Sequence, residues 1–141
     1  MKESRSCLEK ILSTIIVLLV LSLILPSSSG VLNRVKKCAD VLTARNIYEV
    51  ITIGFTMDSL EAPNKEMYIV VEDAEDITSS LDREYRRIIL NYLKENMDIP
   101  EGTKLDKKKF IIKVEPNCDV EILVGSNLGD GIYPEATGIY Q

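Results

Sequence analysis

The apolar and polar positions divide the chain into a uniform stretch followed by patterned ones. Residues 11–25 carry no charge, and only Ser13, Thr14 and Ser22 interrupt the apolar run. Glu9 stands just before the run and Pro26 just after it. A helix that is apolar all round has no face for water and must be covered by lipid or by other helices. The run therefore predicts that this end of the protein meets a membrane. Fifteen helical residues span about 22 Å, short of a hydrocarbon core of roughly 30 Å. Two readings follow. The run is the h-region of a signal peptide, with Lys2, Arg5 and Lys10 as its basic start and the small residues 27–30 after Pro26 as its cleavage region. Alternatively it is a retained anchor, lengthened by Leu8 and by residues 27–29, with Lys10 reaching the interface.

Beyond Pro26 the pattern becomes helical and one-sided. Val31, Val35, Cys38 and Leu42 form one narrow stripe at i, i+4, i+7 and i+11. From Val41 the apolar set moves to Val41, Ala44, Tyr48, Ile51 and Phe55, roughly 120° around the helix at 100° per residue. Arg45 and Glu49 then take the face that Val31 and Leu42 began. Two stripes predict two partners: the protein's own sheet for one, neighbouring molecules for the other. Residues 50–55 are β-branched and aromatic, so a helix ending near Ile47 and a strand over 51–55 is the competing reading.

The remaining chain reads as a small mixed domain. Residues 67–71 predict a strand. Ser79 and Asp82 open a helix by the spacing of a capping box. Its apolar face is Leu81, Tyr85, Ile88, Ile89, Tyr92 and Leu93. Residues 110–115 and 118–124 alternate in period two and predict a hairpin turned at Pro116-Asn117. The tail from Ile132 has room for one more short strand. The expected fold is α+β: a long N-terminal helix, transmembrane in its first half, packed on a small antiparallel sheet with one inserted amphipathic helix. The expected organisation is a cytoplasmic leader at 1–10, a transmembrane helix at 11–26, a soluble continuation of the helix at 27–58 and an extracytoplasmic domain at 59–141.

The N-terminal residues resemble type IV pilins and the pseudopilins of type II secretion. In that family a short basic leader is removed before a hydrophobic helix. The helix has a glutamate at its fifth mature position and, in many members, a proline seventeen residues later. Glu9 and Pro26 have that separation here, and Ser6-Cys7-Leu8-Glu9 stands where the family carries a small hydroxyl, two aliphatic residues and the glutamate. The resemblance implies cleavage between Ser4 and Arg5 by a prepilin peptidase, although the family has glycine where Ser4 stands. It implies an assembly role for Glu9, which in the family meets the N-terminal amine of a neighbouring subunit, and for Pro26, which loosens the helix. It also implies other pilin-like subunits and membrane lipid as partners, with the N-terminus cytoplasmic and the C-terminal domain outside. The match covers residues 4–51 by motif and the rest by layout.

Charge and composition narrow the alternatives. The chain has 141 residues and net charge −5; residues 1–26 contribute +1, leaving −6 on the remainder. An acidic domain repels phosphate backbones, so nucleic acid is not an expected partner, and Lys107, Lys108 and Lys109 read as a solvated strand edge. The chain has no histidine, which removes the commonest general base and most zinc sites. Asp119, Glu121 and Ser126 are acidic or hydroxyl groups with no base at a useful spacing, so no enzyme, no cofactor and no metal are expected. The acidic run 72–76 lacks the spacing and glycine of a calcium loop, and Asn127 with Asp130 offers too few ligands. Of three cysteines, Cys38 and Cys118 could both lie outside the membrane, as free thiols or as a disulfide tying an early helix to a late strand. The expected function is a membrane-anchored structural subunit that assembles through its apolar helix into a pilus or secretion filament. The alternative is a secreted or tethered binding module with residues 1–30 as signal peptide or plain anchor.

Overall fold

A computed structural model describes residues 2–71, 82–125 and 129–141, with the side chains of 2–9, 11 and 23–29 outside the description. The order of elements is helix α1 (Lys2–Thr56), strand β1 (Met67–Val70), helix α2 (Arg83–Asn96), then strands β2 (Phe110–Val114), β3 (Val120–Val124) and β4 (Asp130–Tyr133). A 3-10 turn, Gly138–Tyr140, follows. The architecture is α+β with a four-stranded sheet in the order β1-β2-β3-β4, antiparallel throughout. The chain divides into two compact units, Met1–Val35 and Lys36–Gln141.

In the first unit the apolar run is helical. Leu12 and every residue from Ile15 to Leu21 are between 48 and 61 % exposed. The hydroxyls of Thr14 and Ser22 turn inward on the helix backbone, donating to the carbonyls of Lys10 and Leu19. They add no polar face to the run. Among the described residues no helix is long and apolar enough to cross a membrane.

In the second unit α1 continues through residues 50–55, so the competing strand over 51–55 does not form. Ala44, Ile47 and Ile51 are fully buried, with Val41, Tyr48 and Phe55 partly buried beside them. Burial here overrides the strand propensity of Val50 to Phe55. The helix ends at Thr56 and is stopped by Asp58, whose φ of 54° is left-handed. Ser59 N–H donates to Gly54 O at 2.9 Å and Asp58 N–H to Phe55 O at 3.2 Å. This is the paired bonding of a Schellman stop, with aspartate in the place glycine usually takes. Gly54 has a different duty. A Cβ there would lie 2.7 Å from Leu60 and 2.8 Å from Tyr92, so only glycine lets α1 approach α2 and the following loop this closely.

The sheet's core face comprises Ile69, Phe110, Ile112, Val114, Val120, Ile122 and Val124, joined with Ala44, Ile47 and Ile51 of α1 and Ile89, Leu90 and Leu93 of α2. The α2 face is thus displaced from the expected one: Leu90 is buried, while Ile88 is 49 % exposed. Ile88 and Leu90 are 200° apart on a helix, so admitting both would have demanded more than one stripe. Asp82 is the residue at the N-terminus of α2, but its side chain makes no capping hydrogen bond. Its carboxylate pairs with Lys65 at 3.0 Å instead. Ser79 and Leu81 lie outside the described residues.

The hairpin keeps its expected strands and changes its turn. Val114 pairs with Val120, and Glu115 N–H donates to Asp119 O at 2.9 Å. The loop therefore has three residues, Pro116, Asn117 and Cys118, rather than two. Cys118 adopts the left-handed φ of 67° typical of the last residue of such a loop and does not begin the strand. The shift keeps Ile112 opposite Ile122 on the core face; a two-residue loop would have moved one strand's set to the other side.

Candidate functional site

Two surfaces in the molecule invite a partner. The first is the exposed apolar side of α1. In the first unit it comprises Leu12 and 15–21, with Val31, Leu32 and Val35. In the second unit the same kind of surface persists at Cys38, Leu42 and Ile53, all exposed. Arg45 and Glu49 pair there at 2.7 Å in solvent, and their mutual attraction is a weak, screened one. The two stripes predicted from spacing thus have different environments. The later one is the core; the earlier one faces out.

The expected assembly and processing residues, Glu9, Pro26, Ser4 and Arg5, fall within α1 but have side chains outside the described residues. Cys38 and Cys118 are both described and both carry free, exposed thiols. The bridge considered between them is not formed. Cys118 lines a cavity together with Tyr48 and Thr52, which lie ten and fourteen residues beyond Cys38 on α1. At 1.5 Å per residue these positions are about 15–21 Å along the helix from Cys38, whereas a disulfide needs Cα atoms within about 7 Å.

That cavity is the second surface, about 440 Å³ in volume. Tyr48 and Thr52 of α1 form one wall. The end of the β2–β3 hairpin supplies Lys113, Glu115 and residues 118–121, and Pro134 with Glu135 close the side beyond β4. Tyr48 is held edge to face against Tyr133, centroids 5.0 Å apart. Lys113 and Glu121 face each other across the β2–β3 ladder. The Lys113 ammonium lies 2.9 Å from Glu115, 3.5 Å from Glu121 and 3.6 Å from Glu66. The hydrogen bond to Glu115 raises its pKa above the ordinary lysine value. Asp119 is tied locally, receiving a 2.6 Å hydrogen bond from Asn117 Nδ2. Sequence reasoning placed Asp119 and Glu121 on this hairpin but did not bring them to a cavity. The cavity depends on α1 crossing the hairpin end, which no local spacing encodes. Ser126 and Asn127 lie outside the described residues, as does the acidic run 72–76; Asp130 opens β4. Among the described residues no group of three or more cysteine or acidic side chains is arranged to hold a metal ion.

A buried carboxylate elsewhere in the second unit has a structural duty that the sequence reading missed. Asp40 is 1 % exposed. Its oxygens accept from the backbone N–H groups of Lys104 and Leu105 and, at 3.4 Å, from the Tyr140 hydroxyl. Burial, then the neighbouring Asp40 charge, pushes the Tyr140 phenol up to about 12. The signal was present: Asp40 lies four residues before Ala44, on the buried stripe, where a carboxylate requires donors.

Comparison with protein-family models, curated proteins and solved structures finds no match.

Proposed function

We propose that this protein is a membrane-anchored structural subunit of pilin-like or pseudopilin-like type, which assembles through the apolar part of α1 while the domain from Lys36 onward is displayed outside the membrane. The observation that carries the reading is the exposure of Leu12 and Ile15–Leu21 on all sides of one helix. Covering eight half-exposed aliphatic side chains is worth on the order of 8 kcal/mol. That is as much as the net stability of a typical small domain, so the surface is not left to water. Lipid covers it before assembly and neighbouring helices afterwards. The separation of Glu9 and Pro26 supports the family, with Glu9 at the edge of the bilayer, where a carboxylate is tolerated more cheaply than at its centre.

The test is the intact mass and N-terminal residue of the protein made in its own host. A chain beginning at Arg5 is the expected result and gives Glu9 its place near a mature terminus. A chain beginning at Met1 removes the processing step and leaves a plain anchor. A start near Val31 makes the domain a secreted one and ends the assembly reading. The second reading, a tethered or secreted binding module, draws its support from the cavity beside Cys118.

A further inference from the structure

We propose that the lysine-rich end of the second unit, carrying Lys36, Lys37, Lys104 and Lys107, docks on a bilayer surface of anionic phospholipid headgroups. The proposal rests on the reading of the apolar run as a membrane anchor.

The observation is where the unanswered cations lie. The unit from Lys36 onward has 13 basic and 20 acidic side chains, a net −7. In so acidic a unit a lysine finds a carboxylate readily. Lys65 pairs with Asp82, Lys108 with Asp106, and Lys113 with three glutamates. Lys36, Lys37, Lys104 and Lys107 form no ion pair with another described residue.

These lysines come from two distant segments, and one buried group brings the segments together. Asp40 lies on the buried stripe of α1 and accepts from the backbone N–H groups of Lys104 and Leu105. Lys36 and Lys37 precede it by four and three residues, so they stand on the same side of α1, one turn back. The stripe that is core at Ala44 and Ile47 is thus a carboxylate at Asp40 and lysine a turn earlier, where both side chains are only half-buried. The 103–108 loop is closed on itself. Thr103 N–H donates to Lys108 O at 2.8 Å and Lys107 N–H to Thr103 O at 3.2 Å. Lys107 itself holds a left-handed φ of 60°. The loop therefore presents Lys104 and Lys107, both exposed, from a fixed backbone. Two carboxylates at this end are already occupied: Asp40 by its donors and Asp106 by Lys108 at 2.9 Å. Glu101 and Asp130 flank the loop, and Asp130 acts on Lys108.

The spread of the charges selects the ligand. Lysine is a point charge on a flexible stem. Four of them on two segments suit a plane of many phosphates better than one small anion. The chain supplies that plane. Lys36 follows Pro26 by ten residues, at most about 35 Å of fully extended chain. Headgroups at the end of the anchor are therefore always within reach, at high effective concentration. Each lysine close to an anionic leaflet strengthens its attraction about fivefold. The rest of the unit, being acidic, is repelled by the same leaflet. Attraction at one end and repulsion elsewhere turn the lysines towards the lipid.

Cys38, one residue past Lys37, and Cys118, in the cavity beside Tyr48 and Thr52, report on separate parts of the unit. The full chain is labelled with a fluorophore at Cys38 (with Cys7→Ser and Cys118→Ser) or at Cys118 (with Cys7→Ser and Cys38→Ser). It is reconstituted into phosphatidylcholine vesicles with or without about 30 mol% phosphatidylglycerol. A nitroxide on the lipid headgroups quenches a label that comes close. Phosphatidylglycerol should raise quenching at Cys38 about twofold at low salt, and roughly 0.5 M salt should reverse the rise. The label at Cys118 should not respond. Changing Lys36, Lys37, Lys104 and Lys107 together to glutamine should abolish the rise, and changing them to arginine should keep it. No rise in the parent chain, an equal rise at Cys118, or a rise that survives the four glutamines overturns the proposal. Flotation separates this outcome from the anchor reading, because an anchored chain floats with pure phosphatidylcholine vesicles in high salt. A chain that floats only with phosphatidylglycerol vesicles, at low salt and not as the glutamine variant, refutes the anchor and supports the lysine surface.

Discussion

Two regions of α1 have similar side chains and opposite surroundings. Ile15 and Ile16 are about half exposed, whereas Ile47 and Ile51 are fully buried. The difference lies in what stands between the apolar residues. Around Ile16 no neighbour from residue 11 to residue 25 is charged and apolar side chains stand on every side, so no orientation hides them from water. Around Ile47 the charged Arg45 and Glu49 take one face, leaving the opposite one for the sheet. Hydrophobicity alone therefore does not say what a helix will bury against; the placement of the few charges does.

The sharpest way to break this comparison is to make the same truncation in both regions. Ile47→Ala should cost about 3 kcal/mol of unfolding free energy, through lost transfer and a residual cavity. Ile16→Ala should change the stability of the second unit by less than about 0.5 kcal/mol. Urea titration of both variants in detergent decides it, and equal losses would mean that the exposed region supports the domain after all.

The next effect is polar. Asp40→Ala leaves the Lys104 and Leu105 N–H groups without their carboxylate and should cost about 2 kcal/mol. Asp40→Asn retains an acceptor and should cost less. If both variants unfold at the wild-type midpoint, the carboxylate has no part in holding the 103–108 loop to the helix.

The Tyr140 and Tyr85 phenols sharpen the picture of the buried half. Burial pushes each up to about 12 from an ordinary 10. A proton held more tightly in the folded state stabilises it fully below pH 10, and that contribution is lost as pH rises towards 12. Thermal midpoints should thus fall across this window, and Tyr140→Phe should flatten the fall. A midpoint indifferent to pH between 10 and 12 would contradict the burial of both rings. The smallest effect belongs to the outward face. Arg45→Ala removes only an exposed pair and should cost about 0.3 kcal/mol, vanishing in high salt.

What the sequence made legible tracks how local the determinant is. Alternation gave β2 and β3, and period 3.6 gave the buried stripe of α1, because each pattern needs only near neighbours. The one-residue error in the hairpin loop came from Pro116-Asn117, which resembles a complete turn, while the third loop residue is a cysteine instead of the glycine that signals a left-handed position. Ile88 follows Tyr85 at i+3 and Leu90 precedes Leu93 by the same spacing, so only the packed core separates the exposed Ile88 from the buried Leu90. The cavity beside Cys118 was illegible, since Thr52, Glu121 and Glu135 meet only after the chain has closed. The left-handed stop at Asp58 has no glycine to announce it, because aspartate tolerates that region as well.

The link between Asp40 and Tyr140 spans 100 residues of sequence. A ribosome adding about 5–20 residues per second makes the second partner about 5–20 s after the first. For most of that interval Ala44, Ile47 and Ile51 have been synthesised, yet the sheet that covers them is incomplete, and helix formation itself takes microseconds or less. The nascent helix is consequently greasy along both stripes, including the one that is later internal. Whatever receives the chain as it emerges must shield the future core as well as the surface meant to stay apolar, and must release only one of them.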